Sequence, residues 1–119
     1  MTMSNKAASP APCASDCSSS LPPRIVCLCG STKFKSAFEI AAAEETLCGN
    51  IVLTVHVFSH HDNLDLREDT LADLKRLHLA KIKMADEVLI LNVGGYVGDG
   101  LQAELEYAAR LGIPVRWLE

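Results

Sequence analysis

No lysine- or arginine-rich block occurs anywhere in this chain of 119 residues, whose formal net charge is -4. A protein that tracks a polyanion needs a basic face, so no nucleic-acid partner is expected. No apolar run approaches the roughly 20 residues that cross a bilayer as a helix, so no membrane partner is expected either. The first residues lack the basic-then-apolar order of a secretory signal. The cysteine count, 5, is odd. Both features favour a reducing, cytoplasmic setting. Neither G-x-G-x-x-G nor a Walker stretch is present, which removes the usual support for dinucleotide or ATP binding, and no cofactor is expected. No internal repeat is visible.

What is present divides in two. Residues 1–23 are rich in Ser, Ala and Pro and have little apolar periodicity. Such a segment buries too little surface to offset its ordering entropy and is expected to be a flexible tail. Residues 24–119 form the expected single domain. Its core is thin, so a homodimer or higher homo-oligomer is expected.

Within the domain, apolar runs alternate with amphipathic stretches. Ile25 to Cys29 is continuously apolar, the mark of a strand covered on both faces. Cys27 and Cys29 point the same way from it and read as packed, reduced thiols ahead of redox or metal roles. A helix is expected over Lys33 to Cys48 and a second strand over Ile51 to Val55, extending towards Phe58. A long helix is expected over Leu66 to Ala85, a third strand over Val88 to Leu91, and a last helix over Leu101 to Leu111. A short strand over Pro114 to Leu118 completes the set. The β-α-β-α-β-α-β alternation predicts a small Rossmann-like (flavodoxin-like) three-layer α/β domain. Its sheet is parallel, of about four strands in the order 2-1-3-4. In that order the chain reverses direction across the sheet between strands 1 and 3. Ligands bind there, outside the carboxyl ends of the strands. The loops at that place are Gly30-Ser31-Thr32 and Asn92 to Gly100.

The last helix, turned at about 100° per residue, presents Leu101, Leu105, Ala108 and Leu111 on one face. Glu104 falls within that face, while Glu106 and Arg110 fall opposite. A carboxylate turned towards a core is costly unless compensated. The nearby helix N-terminus favours the anion, so Glu104 is expected to be ionised and fixed beside the cleft. That is what a nucleophile at an anomeric carbon requires; a cap or a buried ion pair is the plainer alternative. Glu45 also falls on an apolar side, but at the far end of its helix. On the long helix His78 sits among Leu71, Leu74, Ile82 and Ala85. It is either a satisfied core residue or a group that reaches the ligand. Gly30, Ser31 and Thr32 offer N–H groups and hydroxyls suited to sugar or phosphate oxygens. Equally, they suit an ordinary N-cap. His56, His60, His61 and Asp62 match no standard zinc spacing, so no metal site is expected; His60 still follows strand 2 at the ligand edge.

The segments Cys29-Gly30-Ser31-Thr32-Lys33-Phe34, Lys81 to Val88, Asn92 to Gly98 and Glu104-Leu105-Glu106-Tyr107-Ala108, in this order, resemble the nucleoside 2-deoxyribosyltransferase-like family, in particular its short branch. The likeness covers nearly everything after Arg24. It implies a glutamate nucleophile at Glu104 that attacks C1′, expels the base and passes the sugar to a second base or to water. It implies Asp99 as a candidate for proton transfer to the base or for holding it. His78 falls where the long helix presents a base-binding group. Gly30, Ser31 and Thr32 would face the sugar and any 5′-phosphate. Phe34, His60, Asn92, Gly94, Gly95, Tyr96 and Gly98 complete the expected lining for a nucleoside or nucleotide. The chain departs from the family twice. The tyrosine that orients the glutamate from the end of strand 1 is missing, with Tyr96 as a candidate substitute. Gly100-Leu101 stands where short relatives often carry Ser-Thr. The Gly94-Gly95-Tyr96-Val97-Gly98 loop is also similar to the Gly-Gly-x-Gly-Thr stretch of phosphoribohydrolases, without its Thr. A hydrolase of nucleoside 5′-monophosphates and a non-catalytic nucleotide-sensing module are the competing expectations.

Overall fold

The computed structural model describes residues 22–119; the expected tail lies almost wholly outside them. Four strands, β1 (Ile25–Cys29), β2 (Ile51–Leu53), β3 (Glu87–Ile90) and β4 (Val115–Trp117), form one sheet. The order is β2-β1-β3-β4 and every pairing is parallel. Helices α1 (Lys35–Leu47), α2 (Glu68–Met84) and α3 (Asp99–Arg110) connect them. This is the three-layer Rossmann-like α/β arrangement that the alternation predicts. Among the described residues no helix is long and apolar enough to cross a membrane.

The two sheet faces have separate cores, because side chains alternate along each strand. Val26, Leu28, Leu89 and Leu91 pack with Phe38, Ala41 and Phe58. Cys27, Cys29, Val88 and Ile90 pack with Ile82 and Ala85 of the α2 end and with Leu101 and Ala108 of α3. Glu68 and Asp69 open α2 while Lys81 and Lys83 close it, an order that complements the helix dipole.

The element ends differ from expectation in instructive ways. β2 stops at Leu53, short of Val55. As an edge strand it pairs only with Ile25 to Cys27. The chain then turns inward and buries Phe58, whose ring meets Phe38 edge-on at 5.4 Å. α1 starts at Lys35 rather than Lys33, because Ser31 to Phe34 form a turn closed by Phe34 N–H donating to the Ser31 carbonyl at 3.1 Å. α3 starts at Asp99, two residues before Leu101. Leu111, expected on the buried face, lies past the helix end and is 42% exposed.

Candidate functional site

The carboxyl end of β1 delivers Cys29 to the junction of α2 and α3. The Cys29 thiol lies 3.2 Å from His78 Nε2. Glu104 Oε1 lies 3.6 Å from the same nitrogen. The His78 and Glu104 side chains retain 11% and 24% of their exposure, so the group is largely, not wholly, withdrawn from solvent. Cys27, two residues back on β1, completes a cluster whose thiols and imidazole nitrogen lie within 4.8 Å of one another.

Electrostatics corrects one expectation. Glu104 was expected to be ionised, yet burial raises its carboxyl to about 7, against a smaller lowering by the Cys29 hydrogen bond. The reason is position. Helix α3 begins at Asp99, so Glu104 lies in its second turn, beyond the reach of the N-terminal dipole. His78 moves the opposite way, to about 4, through burial and the nearby Lys81 cation. Lys81 is held there by donating to the Thr54 carbonyl at 2.7 Å. The hydrogen bond with Cys27, together with burial, keeps the Cys29 thiol well above its ordinary value. His78 Nδ1 is buried without a partner.

The other expected site residues divide. Gly30 follows Cys29 and packs against the Leu91 carbonyl: a Cβ there would come within 3.0 Å of that oxygen. Thr32 Oγ1 lies 2.9 Å from His60 Nδ1, so the β1 turn and the loop after β2 meet. Ser31 Oγ accepts from Lys33 N–H at 3.3 Å and thus serves its own turn rather than the start of α1. Phe34 meets Tyr96 edge-on at 5.7 Å, and the Lys33 ammonium lies 3.6 Å from the Tyr96 ring centre. Tyr96 is therefore engaged on the far rim; among the described residues it makes no hydrogen bond to Glu104. Asn92 is buried, with its amide committed to residue 119: Nδ2 donates to the Glu119 carbonyl at 3.1 Å and Oδ1 accepts from Glu119 N–H at 2.9 Å. Gly94 N–H donates to the Glu119 carboxylate at 3.0 Å. Gly94 and Gly95 both take positive φ, 64° and 80°, which favours glycine in that turn. Gly98 precedes α3 as its N-cap. Asp99 is exposed in the first turn. Five residues before Glu104, it points about 140° away around the helix, so the structure does not bring the two carboxylates together.

Sequence reasoning missed Cys29 as a partner of Glu104. An apolar strand hides chemistry, yet Cys29 is the last residue before the turn at the switch point, and that position was the available signal. Glu45, the other carboxylate on an apolar helix side, is buried and structural: it accepts from Asn50 Nδ2 at 2.9 Å and Arg116 at 3.1 Å. Comparisons with protein-family models, curated proteins and solved structures find no match to this chain.

Proposed function

We propose that the chain cleaves or transfers at the N-glycosidic bond of a nucleoside or its 5′-monophosphate, with Glu104 as nucleophile. The observation that carries this reading is a half-buried carboxylate at the carboxyl end of β1, 3.6 Å from the same His78 nitrogen that meets the Cys29 thiol. In the sequence the same residues follow the order seen in the nucleoside 2-deoxyribosyltransferase-like family. Ionised Glu104 attacks C1′ of the sugar, and the bond from C1′ to the base nitrogen breaks. The base departs with that electron pair and takes up a proton. A second base, or water, then displaces Glu104 from C1′. Cys29 stands at the end of the strand from which the family draws its orienting tyrosine. The ring of His60, the Thr32 hydroxyl and the turn at Gly30 face the same rim and suit sugar or phosphate oxygens. A second copy of the chain, expected from the thin core, would cover the exposure that remains.

The test is turnover of a panel of nucleosides and nucleoside 5′-monophosphates, with and without a free acceptor base, followed by chromatography. A new nucleoside identifies a transferase, and free sugar or sugar phosphate a hydrolase. Glu104→Ala is expected to lose at least about a thousandfold in turnover while still binding the ligand. Binding without turnover in the unaltered protein would make the chain a sensing module instead. Full activity in Glu104→Ala would refute the reading.

A further inference from the structure

We infer that Cys27, Cys29 and His78 form the binding site of a thiophilic divalent ion of the zinc class, with the Glu104 carboxylate, 3.6 Å from His78 Nε2 but outside their cluster, rotating in as fourth donor. Two thiols and an imidazole nitrogen converge within 4.8 Å, all at least partly withdrawn from solvent. The donors come from three elements on one sheet face. Cys27 and Cys29 share a side of β1, His78 arrives from α2, and Glu104 from α3.

The geometry suits a tetrahedral ion. Bonds of about 2.3 Å to sulfur and about 2.0 Å to nitrogen or oxygen give donor-to-donor edges of roughly 3.3–3.8 Å. Cys29 Sγ to His78 Nε2 is 3.2 Å and His78 Nε2 to Glu104 Oε1 is 3.6 Å, both close to such an edge. The three clustered donors need only close from within 4.8 Å to such edges, whereas the Glu104 side chain must rotate towards the thiols to complete the shell. His78 and Glu104 keep residual exposure of 11% and 24%, so the ion would enter past them.

Donor chemistry selects the ion. Thiolate and imidazole disfavour calcium and magnesium, which take oxygen ligands. Charge balances as well. Two thiolates offset the divalent cation, the imidazole is neutral, and the negative charge of the Glu104 carboxylate is added beside a ring that already feels the Lys81 cation. The thiols release their protons when the ion enters. A purely apolar packing role for the cysteines leaves unexplained why the imidazole Nε2 of His78 stands 3.2 Å from the Cys29 thiol. Because the ion would occupy Glu104 and Cys29, it and a sugar ring exclude one another. Binding of the ion does not depend on the glycosyl reading, and its readout needs no substrate.

The experiment uses the full chain, stripped with a chelator, dialysed and kept reduced, with Co²⁺ as the probe. Cobalt is expected to develop thiolate charge-transfer bands and the intense visible absorption of a tetrahedral site, both removed by Zn²⁺. Cys13, Cys17 and Cys48 also carry sulfur, so variants locate the ion. Cys27→Ala and Cys29→Ala are each expected to lower the charge-transfer intensity by about half. His78→Ala is expected to weaken Zn²⁺ binding by about tenfold or more. Because Cys27 and Cys29 are fully buried, their variants are paired with a reading that needs none. Zinc-edge X-ray absorption of the unaltered protein is expected to show two sulfurs, one imidazole and one oxygen. An octahedral cobalt spectrum, a tetrahedral one unchanged in His78→Ala, or a zinc shell of sulfur alone overturns the assignment. Failure of nucleoside turnover leaves it standing, and its failure leaves the turnover test standing.

Discussion

The imidazole of His78 and the carboxyl of Glu104 face one another at 3.6 Å, and burial shifts their proton affinities in opposite directions. Across mildly acidic pH the stable arrangement is a neutral ring beside a protonated acid, not an ion pair. The consequence for stability follows from the signs. Glu104 rises from 4.5 to about 7 on folding, so its contribution is complete below 4.5 and is lost as pH rises through 7. His78 falls from 6.5 to about 4, so its contribution is complete above 6.5 and is lost as pH falls through 4. Between 4.5 and 6.5 the slopes oppose and nearly cancel. Urea unfolding with a chelator present should therefore show little pH dependence from this pair. In Glu104→Gln the His78 slope is unopposed, and stability should climb by on the order of 3 kcal/mol from pH 4 to 6.5. A flat profile in that variant would show that the ring is not desolvated.

The same carboxyl sets the rate profile under the proposed chemistry. Only the ionised form attacks C1′, and the free protein's Glu104 ionises near 7. With chelator present, kcat/KM should fall below neutrality, by about tenfold for each unit well below 7. Glu106→Ala is the control: Glu106 is exposed on the opposite side of α3 and should leave both rate and profile unchanged. An acid limb near the ordinary carboxylate range, or a large effect of Glu106→Ala, would assign the chemistry elsewhere.

How far the sequence reaches is visible in particular residues. Strand order and the switch point were legible because continuous apolar runs, Ile25 to Cys29 and Val88 to Leu91, mark strands covered on both faces, and alternation fixes crossover handedness. The placement of Glu104 was legible because helical spacing puts it between Ala108 and Leu111 on the wheel. Its protonation was not. That depends on where α3 begins, and the backbone starts the helix at Asp99 through the turn geometry of Gly94 to Gly98. Nor was the commitment of Asn92 to Glu119 legible, since two segments 27 residues apart meet only once β4 has docked beside β3. Cys29 looked like a packing residue because thiol chemistry leaves no periodic signature.

Gly30 is expected to be irreplaceable for a packing reason. The β1 turn passes so close to β3 that an added methyl would lie 3.0 Å from the Leu91 carbonyl oxygen and 3.3 Å from its Cβ. Backbone on a buried strand cannot give way cheaply. Gly30→Ala should destabilise the fold by about 1–3 kcal/mol in urea unfolding. Gly100, inside α3 with nothing within 4 Å of the corresponding point, is the contrast. Gly100→Ala should be neutral or stabilise by up to about 1 kcal/mol. Equal effects at the two positions would show that the strands are less tightly apposed than their contacts imply.

Arg116 binds the opposite face of the sheet to α1. Its guanidinium donates to Glu45 at 3.1 Å and to Glu87 at 3.2 Å, and Glu45, 8% exposed, keeps only Asn50 when Arg116 is removed. A carboxylate left buried without its cation costs more than the pair contributes. Because Arg116 is itself 43% exposed, solvent offsets part of the loss. Arg116→Met should therefore destabilise by about 1–2 kcal/mol. Glu45→Gln, which retains an acceptor for Asn50 and removes the buried charge, should cost less. In Glu45→Gln/Arg116→Met the two costs should fail to add by about 1 kcal/mol, because the second change no longer strands a charge. Strict additivity in that double-mutant cycle would show that Glu45 is solvated well enough to need no cation, and that the attachment of α1 to β4 rests on apolar packing alone.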